Sequence, residues 1–190
     1  MRERLIRLIY EEAFKYSETP IFRLTSGGLS NYYFNCKRVT LSPEGMYLIG
    51  NIIYDMIKDL NVKGIGGLTL GADPIATAVA YTSYLKGNPI EAFVVRKKAK
   101  EHGTMQWIEG NIKEGDSVVV VDDVITTGNS TIQAITRLKE EGIFVKSVLV
   151  LVDRQEGGRE NILKFLSECG FPNNLQAVVL RDDVMKLYKK

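Results

Sequence analysis

The chain has 190 residues, 45% hydrophobic and 25% charged, which is enough apolar material to bury one sizeable core. A formal net charge of +2 gives no global electrostatic case for binding nucleic acid or a membrane. The two cysteines, Cys36 and Cys169, are far apart in the sequence, which indicates a reducing setting and neither a disulfide framework nor a zinc site. We find no leader-like N-terminus and no apolar run of membrane-spanning length, so we expect a cytoplasmic protein.

The N-terminal part predicts a small layer of its own. Apolar residues at helical spacing open the chain, and short strands at 21–24 and 32–37 flank a glycine turn. Pro43 then begins a helix that Ser42 caps. We expect residues 1–42 to form a helix and a hood over the carboxyl edge of a sheet.

Strands and helices alternate from residue 62 onward. Apolar runs such as 118–121 and 148–152 indicate strands buried on both faces, as in parallel sheets covered by helices. The fold class is therefore α/β: a single doubly wound domain over residues 1–190, with a mainly parallel central sheet flanked by helices in the core at 43–190. The predicted strands are 62–67, 90–95, 118–121, 144–152 and 175–180, and the predicted helices are 73–85, 130–141, 159–168 and 182–188.

The most informative stretch runs from Val118 to Ser130. A buried strand is followed by Asp122 and Asp123, and a turn of threonine, glycine and serine then opens a helix. Such a turn lies where ligands bind in open α/β sheets, and its amides at a helix N-terminus suit a phosphate. Adjacent carboxylates suit vicinal hydroxyls, so the pattern indicates ribose 5-phosphate. A strand–Asp–turn–helix alone is more often structural, and the absence of Gly-Lys-Ser/Thr disfavours a P-loop.

A basic segment follows the strand predicted at 90–95. Residues 96–104 contain four cations and the one histidine of the chain. Alone, this composition is more often a solvated loop, and a nucleic-acid patch is the second possibility. Beside a ribose phosphate site, the cations suit a departing pyrophosphate, and residues 96–110 suit a mobile loop that closes and excludes water.

Five stretches together resemble the orotate phosphoribosyltransferase family, and the resemblance covers nearly the whole chain. It implies transfer of the 5-phosphoribosyl group from 5-phosphoribosyl-1-pyrophosphate (PRPP) to orotate in pyrimidine biosynthesis, giving orotidine 5′-monophosphate and pyrophosphate. The rival hypotheses are a phosphoribosyltransferase for a purine or another base, and a PRPP-sensing regulator without turnover. The five stretches are residues 22–35, 71–74, 96–102, 121–128 and 153–156.

The resemblance also implies roles for individual residues. Lys100, His102, Asp122 and Asp123 are the implied catalytic residues. The implied PRPP ligands are Arg96, Lys97, Lys100 and His102 on pyrophosphate, and Asp122, Asp123, Val124, Ile125, Thr126, Thr127, Gly128, Asn129 and Ser130 on ribose 5-phosphate.

Orotate binding is implied for Thr126, Tyr33, Phe34 and Arg154. A guanidinium at Arg154 suits bidentate capture of the orotate carboxylate. The alternative for Arg154 is an ion pair with a neighbouring acid, and the alternative for the two aromatic residues is packing in the core.

The chain departs from the family pattern at two places. Many family members carry a lysine where this chain has Thr25, and Tyr-Lys where it has Leu70-Gly71. Pyrophosphate binding is therefore expected to depend more on magnesium and the basic loop. Magnesium (Mg²⁺) is the expected cofactor, held mainly by substrate oxygens and water without a protein cage. The expected assembly is a homodimer in which the loop closes over the partner's site, with no nucleic-acid or membrane partner.

Overall fold

The computed structural model describes residues 1–23, 27–98 and 106–188. Its strands β5 (Gly64–Leu68), β6 (Glu91–Val95), β7 (Ile108–Gly110), β8 (Ser117–Ile125), β9 (Phe144–Asp153) and β10 (Leu175–Leu180) form one six-stranded sheet. The strand order is β10-β9-β8-β5-β6-β7, and every pairing is parallel except that of β6 with β7. This arrangement confirms the predicted α/β class with a mainly parallel sheet.

Helices cover both faces of this sheet, which explains its continuous apolar strands. Along β8, Val119 and Val121 pack into one buried cluster, while Val118 and Val120 pack into the other. Neither face of the strand is open to water, so no polar alternation appears in the sequence. The helices are α1 (Arg2–Glu12), α2 (Lys37–Thr40), α3 (Pro43–Ile57), α4 (Asp73–Leu85), α5 (Asn129–Glu140), α6 (Gly158–Cys169) and α7 (Arg181–Tyr188).

The N-terminal strands pair differently from the prediction. Four short strands are present: β1 (Phe14–Tyr16), β2 (Phe22–Arg23), β3 (Leu29–Ser30) and β4 (Tyr32–Phe34). The predicted strands at 21–24 and 32–37 do not pair with each other, because β2 pairs with β3 and β4 pairs with β1. Burial explains the second pairing, since it brings the rings of Phe14 and Phe34 to 5.0 Å. The strand predicted at 32–37 also ends too late, because Lys37 already begins α2.

Strand β8 extends past its predicted end at residue 121. It remains in parallel register with β9, where Asp122 pairs with Val150 and Ile125 with Asp153. The acidic pair therefore lies within the strand and not after it. Acidic residues are poor strand formers, so the sequence pattern stops at Val121, whereas the backbone pairing continues. Strand β7 was not predicted, because three residues of mixed polarity carry no periodic signal.

Helices α3 and α4 pack closely at Gly50, and α4 begins beside the acidic pair. A Cβ atom at Gly50 would lie 2.8 Å from the carbonyl oxygen of Ala78 and 2.6 Å from Thr82 Oγ1.

We expect Gly50→Ala to destabilise the protein by about 1–3 kcal/mol through overpacking, although alanine favours a helix. Urea unfolding measures the effect, and Asp55→Ala on the exposed side of α3 is the control. Equal stabilities of the two variants would contradict the close packing.

Candidate functional site

The loop between β8 and α5, residues 126–130, is held tightly against α6. Gly128 has a left-handed backbone with φ of 83°, and a Cβ atom there would lie 2.7 Å from Ile162 Cγ1. The side chain of Asn161 donates a hydrogen bond of 3.0 Å to the carbonyl oxygen of Thr127. The loop is thus fixed from behind, at the N-terminus of α5, where helix amides without intrahelical partners attract an anion.

A cavity of about 310 Å³ lies over this loop. All of its lining residues were assigned to PRPP from the sequence. Two other assigned residues of this stretch do not line the cavity: Asp123 faces a neighbouring cavity, and the Ile125 side chain is buried in the core. The lining residues are Asp122, Val124, Thr126, Thr127, Gly128, Asn129 and Ser130.

Asp122 is a buried carboxyl with both oxygens engaged. Its Oδ1 accepts from the backbone N–H of Asp123 at 3.0 Å, and its Oδ2 accepts from Thr131 Oγ1 at 2.9 Å. Burial, followed by the neighbouring charge of Asp123, raises the pKa of Asp122 from 3.8 to about 7. Asp122 therefore changes its charge near neutral pH.

Asp123 is held between an amide and a lysine. Its Oδ1 accepts from the backbone N–H of Val124 at 3.0 Å, and its Oδ2 accepts from Lys37 Nζ at 2.9 Å. Lys37 had no role in the sequence interpretation. Its only sequence signal was a cation shortly after the aromatic pair assigned to the base, and the contact spans 86 positions along the chain.

The same carboxylates explain why position 71 is a glycine. A Cβ atom on Gly71 would lie 2.5 Å from Asp123 Oδ1 and 3.1 Å from Asp122 Oδ1. A side chain at this position would therefore require the acidic pair to move. Residue 71 therefore supplies no cation, and its turn packs directly on the two carboxylates.

A second cavity of about 240 Å³ lies on the other side of Asp123. It contains all four residues assigned to orotate and shares Val124 and Thr126 with the cavity over the loop. Asp122 lines the first cavity and Asp123 the second, so the acidic pair divides the two. The lining residues of the second cavity are Arg23, Tyr33, Phe34, Asn35, Cys36, Lys37, Asp123, Val124, Thr126 and Arg154.

The two aromatic residues of this cavity differ in burial. Tyr33 is exposed and stacks on Phe22, with 5.7 Å between ring centroids. Phe34 is buried against Phe14, so most of its ring belongs to the core, as the alternative interpretation expected. Tyr33 is therefore the aromatic side chain with more surface to offer to a ligand.

Arg154 joins the end of β9 to the N-terminal strands and is 5% exposed. Its Nη2 donates to Ser30 Oγ at 3.0 Å, to the carbonyl oxygen of Tyr32 at 3.2 Å and to Glu156 Oε1 at 3.0 Å. The ion pair with a neighbouring acid is thus present. Among the residues that the structure describes, however, buried Nε has no hydrogen-bond partner. The guanidinium therefore retains donor capacity for a further acceptor.

The basic loop is only partly within the described residues. Arg96 forms an ion pair of 3.0 Å with Glu109, and its backbone N–H donates to the carbonyl oxygen of Trp107 at 2.8 Å. These contacts join the two ends of the loop. Lys97 is exposed, whereas Lys100 and His102 lie outside the described residues. The pyrophosphate roles of these four residues remain predictions.

The comparisons with known proteins agree with this geometry. A family model of the phosphoribosyl transferase domain matches residues 43–184. The chain is 50% identical over 163 residues to the orotate phosphoribosyltransferase of Aquifex aeolicus, covering 86% of this chain and 89% of that protein. The chain belongs to the orotate phosphoribosyltransferase family.

Two solved structures extend the comparison to the fold of this chain. The Mycobacterium tuberculosis H37Rv orotate phosphoribosyltransferase in complex with Fe(III) dicitrate matches with a TM-score of 0.80 and 36% identity, over 96% of this chain and 98% of that one. The same enzyme in complex with PRPP matches with a TM-score of 0.74 and 32% identity, over 96% and 90%. The predicted family, fold and transfer of the phosphoribosyl group to orotate are confirmed.

Residues 1–23, 27–98 and 106–188 contain neither a candidate metal site nor a candidate membrane-spanning helix. No group of three or more His, Cys, Asp or Glu side chains could hold a metal ion there. In the same part of the chain, none of the helices combines the length and the apolar character needed to cross a membrane.

The raised pKa of Asp122 makes stability depend on pH. The unfolded carboxyl loses its proton near pH 3.8, whereas the folded one retains it to about pH 7. The folded state therefore binds more protons in this window, and its free energy of unfolding falls as pH rises from about 4 to about 7. We expect the difference in this free energy between wild type and Asp122→Asn to fall over that range and then level off.

Urea unfolding at constant ionic strength, from pH 4 to pH 9, measures this difference. Asp59→Asn, which removes an exposed carboxylate, controls for the loss of one surface charge. A difference in free energy of unfolding between wild type and Asp122→Asn that instead stays constant with pH would show that burial does not perturb the pKa of this carboxyl.

Proposed function

We propose that the two cavities bind the two substrates of the orotate phosphoribosyltransferase reaction on either side of the acidic pair. The observation that carries the proposal is their junction at Val124 and Thr126, with Asp122 lining one cavity and Asp123 the other. The phosphate of PRPP lies over the loop at 126–130, where the α5 amides and the Thr and Ser hydroxyls donate to it. The ribose then spans the acidic pair.

The acidic pair suits a sugar more than a second phosphate. Each carboxylate oxygen of Asp122 and Asp123 accepts one hydrogen bond from the chain. Since a carboxylate oxygen has two lone pairs, acceptor capacity remains for ribose hydroxyls. The pair thereby positions the anomeric carbon between the cavities, where the bond to pyrophosphate breaks as the bond to a ring nitrogen of orotate forms.

The protein contributes positioning and electrostatics, and no side chain needs to form a covalent bond. Arg154, with its buried guanidinium, binds the orotate carboxylate, while Thr126 and the exposed face of Tyr33 line the base. Arg96, Lys97, Lys100 and His102 are proposed to stabilise the departing pyrophosphate. Exclusion of water by residues 96–110 protects the ribosyl centre from hydrolysis.

Magnesium is proposed to arrive bound to PRPP. The oxygen-rich pyrophosphate and ribose supply the hard ligands that this ion prefers, together with water, and a protein cage of three acidic side chains is not required. When bound, the ion offsets negative charge on the leaving group. The cytoplasm is the proposed compartment, supported by Cys36 and Cys169, which are both free thiols.

A homodimer is proposed through the outer face of α3 and α4. An apolar groove of about 430 Å³ runs there, and Tyr47, Tyr81 and Leu85 are exposed along it. Exposed tyrosines beside an apolar groove are typical of protein interfaces. Because α4 begins at the turn over the acidic pair, a second copy seated on this face would lie beside the site.

Arg154→Lys tests the assignment of the base cavity. The lysine keeps the charge but loses the planar fork that matches a carboxylate. We expect KM for orotate to rise about tenfold or more, since hydrogen bonds to charged groups contribute about 1.5–3 kcal/mol, while KM for PRPP changes little. Steady-state kinetics with each substrate varied in turn give both values.

Arg159→Lys is the matched control, because Arg159 lies on α6 and donates to the carbonyl oxygen of Leu175 at 3.0 Å, away from both cavities. Near-wild-type kinetics are expected for it. Equal rises in the two KM values of Arg154→Lys would mean that Arg154 supports the site as a whole and does not read the carboxylate.

Subunit exchange tests the shared site. Lys100→Ala and Asp123→Asn are each expected to be nearly inactive. If the loop acts on the partner's site, each mixed dimer contains one site with both lesions and one with neither. Random exchange makes half of the dimers mixed, so activity should return to about a quarter of the wild-type level.

Native mass spectrometry verifies the exchange, and each variant incubated alone is the control. No recovery despite confirmed mixed dimers would place the loop over the site of its own subunit. A chain that is monomeric by the same measurement would remove the proposed assembly.

A further inference from the structure

We infer that Lys37 is a positioning residue for the transfer reaction, which holds the Asp123 carboxylate in place to accept the ribose of PRPP. This inference rests on the proposed role of Asp123 in PRPP binding. Lys37 acts through Asp123 and does not touch the reacting atoms.

Geometry gives Asp123 one well-defined position. Its Oδ1 lies over Gly71, so close that a Cβ atom there would be 2.5 Å away, and its Oδ2 accepts from Lys37 Nζ at 2.9 Å. The turn at Gly71 and the lysine thus confine the carboxylate from two directions. Without the lysine, Oδ2 would lose its hydrogen bond, and only the Val124 amide and the turn at Gly71 would restrict χ2, a broad torsion in aspartate.

The backbone of Lys37 is itself anchored. It begins α2, immediately after Cys36, which is 1% exposed. One residue earlier, the N–H of Asn35 donates to the carbonyl oxygen of Ala13 at 2.8 Å. The lysine is therefore carried by a fixed segment of the hood and reaches the sheet across the boundary between them.

Lys37 also places a positive charge beside the acidic pair. Asp122 and Asp123 are adjacent and buried, so two like charges at these positions would repel each other. Burial lowers the pKa of Lys37, but its hydrogen bond to Asp123 and the charge of that carboxylate outweigh this, so the pKa is raised. Position 71, beside the same pair, carries no side chain. Lys37 supplies a cation from another element of the chain.

This ion pair differs from the surface pairs of the same helix. The side chain of Asp123 is 13% exposed, compared with 42% for Lys37. The next residue, Arg38, pairs with Glu12 at 3.1 Å, and their side chains are 60% and 47% exposed. Exposed pairs contribute little, whereas loss of the partner of a buried charge is costly. Arg38 therefore offers a matched control on the same helix.

The first test compares Lys37→Met, Lys37→Arg and Arg38→Met by calorimetry with PRPP and Mg²⁺, and by KM for both substrates. We expect Lys37→Met to weaken PRPP binding about tenfold or more, with KM for orotate changed less than about threefold. Lys37→Arg, which retains the cation, should recover most of the loss. Arg38→Met should resemble wild type in both measurements, and thermal unfolding checks that all variants are folded.

A double-mutant cycle with Asp123→Asn decides whether the lysine acts through the carboxylate. In the Asp123→Asn background, Lys37→Met should cost less than about twofold in PRPP affinity, because the partner is already neutral. Full additivity would overturn the inference, as would a normal PRPP affinity in Lys37→Met. A selective loss of orotate affinity would also overturn it and make Lys37 a contact of the base.

The role of the acidic pair and the role of Lys37 can be distinguished by experiment. If Asp123→Asn alone leaves PRPP binding unchanged, the proposed role of the acidic pair is wrong. If Asp123→Asn weakens binding and Lys37→Met does not, only the inference about Lys37 is wrong. Should Lys37→Met not fold, Lys37→Gln removes the charge with a polar side chain of similar reach and is judged by the same outcomes.

Discussion

The burial of two adjacent carboxylates in a central strand is the constraint on which the rest of the site depends. Desolvation and mutual repulsion both oppose the ionised pair, and the surrounding contacts offset this cost. Thr131 and two backbone amides donate to the pair from the sheet side, while Lys37 donates from the hood. Gly71 makes room for the carboxylates themselves. The hydrogen-bond donors and the glycine have a common explanation, which is that each of them accommodates the buried acidic pair.

Close packing also shapes the loop between β8 and α5, residues 126–130. A side chain at Gly128 would meet Ile162, and one at Gly158 would lie 2.6 Å from the carbonyl oxygen of Thr126. Two glycines therefore let α6 pack closely against the loop that lines the cavity. Preorganised donors in such a loop need little rearrangement when an anion binds, and that is an advantage when the ligand's charge changes during a reaction.

The sequence predicted those elements correctly in which buried apolar residues recur with a clear helical or strand period. It failed where contacts between residues far apart in the chain determine the structure. Helix α4 was predicted with its observed bounds, since Asp73 and Pro74 mark its start. The residues that line the cavity over the loop had all been assigned to PRPP, because one contiguous stretch builds this cavity, and their binding role stays a prediction. Lys37 was missed, since only the fold brings α2 to β8. The hood strands were mispaired because segments of two or three residues contain too little pattern to fix a partner.

Two polar contacts between hood and sheet involve a group that is proposed to bind substrate, Asp123 in one and Arg154 in the other. Lys37 reaches Asp123 from the hood, and Arg154 reaches Ser30 and Tyr32 from the sheet. A substrate that contacts Asp123 or Arg154 in the second cavity therefore contacts groups whose positions depend on the docking of the hood. By linkage, a ligand that binds only the docked arrangement stabilises that docking to the extent of its own binding free energy. Under the proposed binding mode, substitutions at the hood–sheet boundary are expected to change substrate affinity even where no substrate atom is touched.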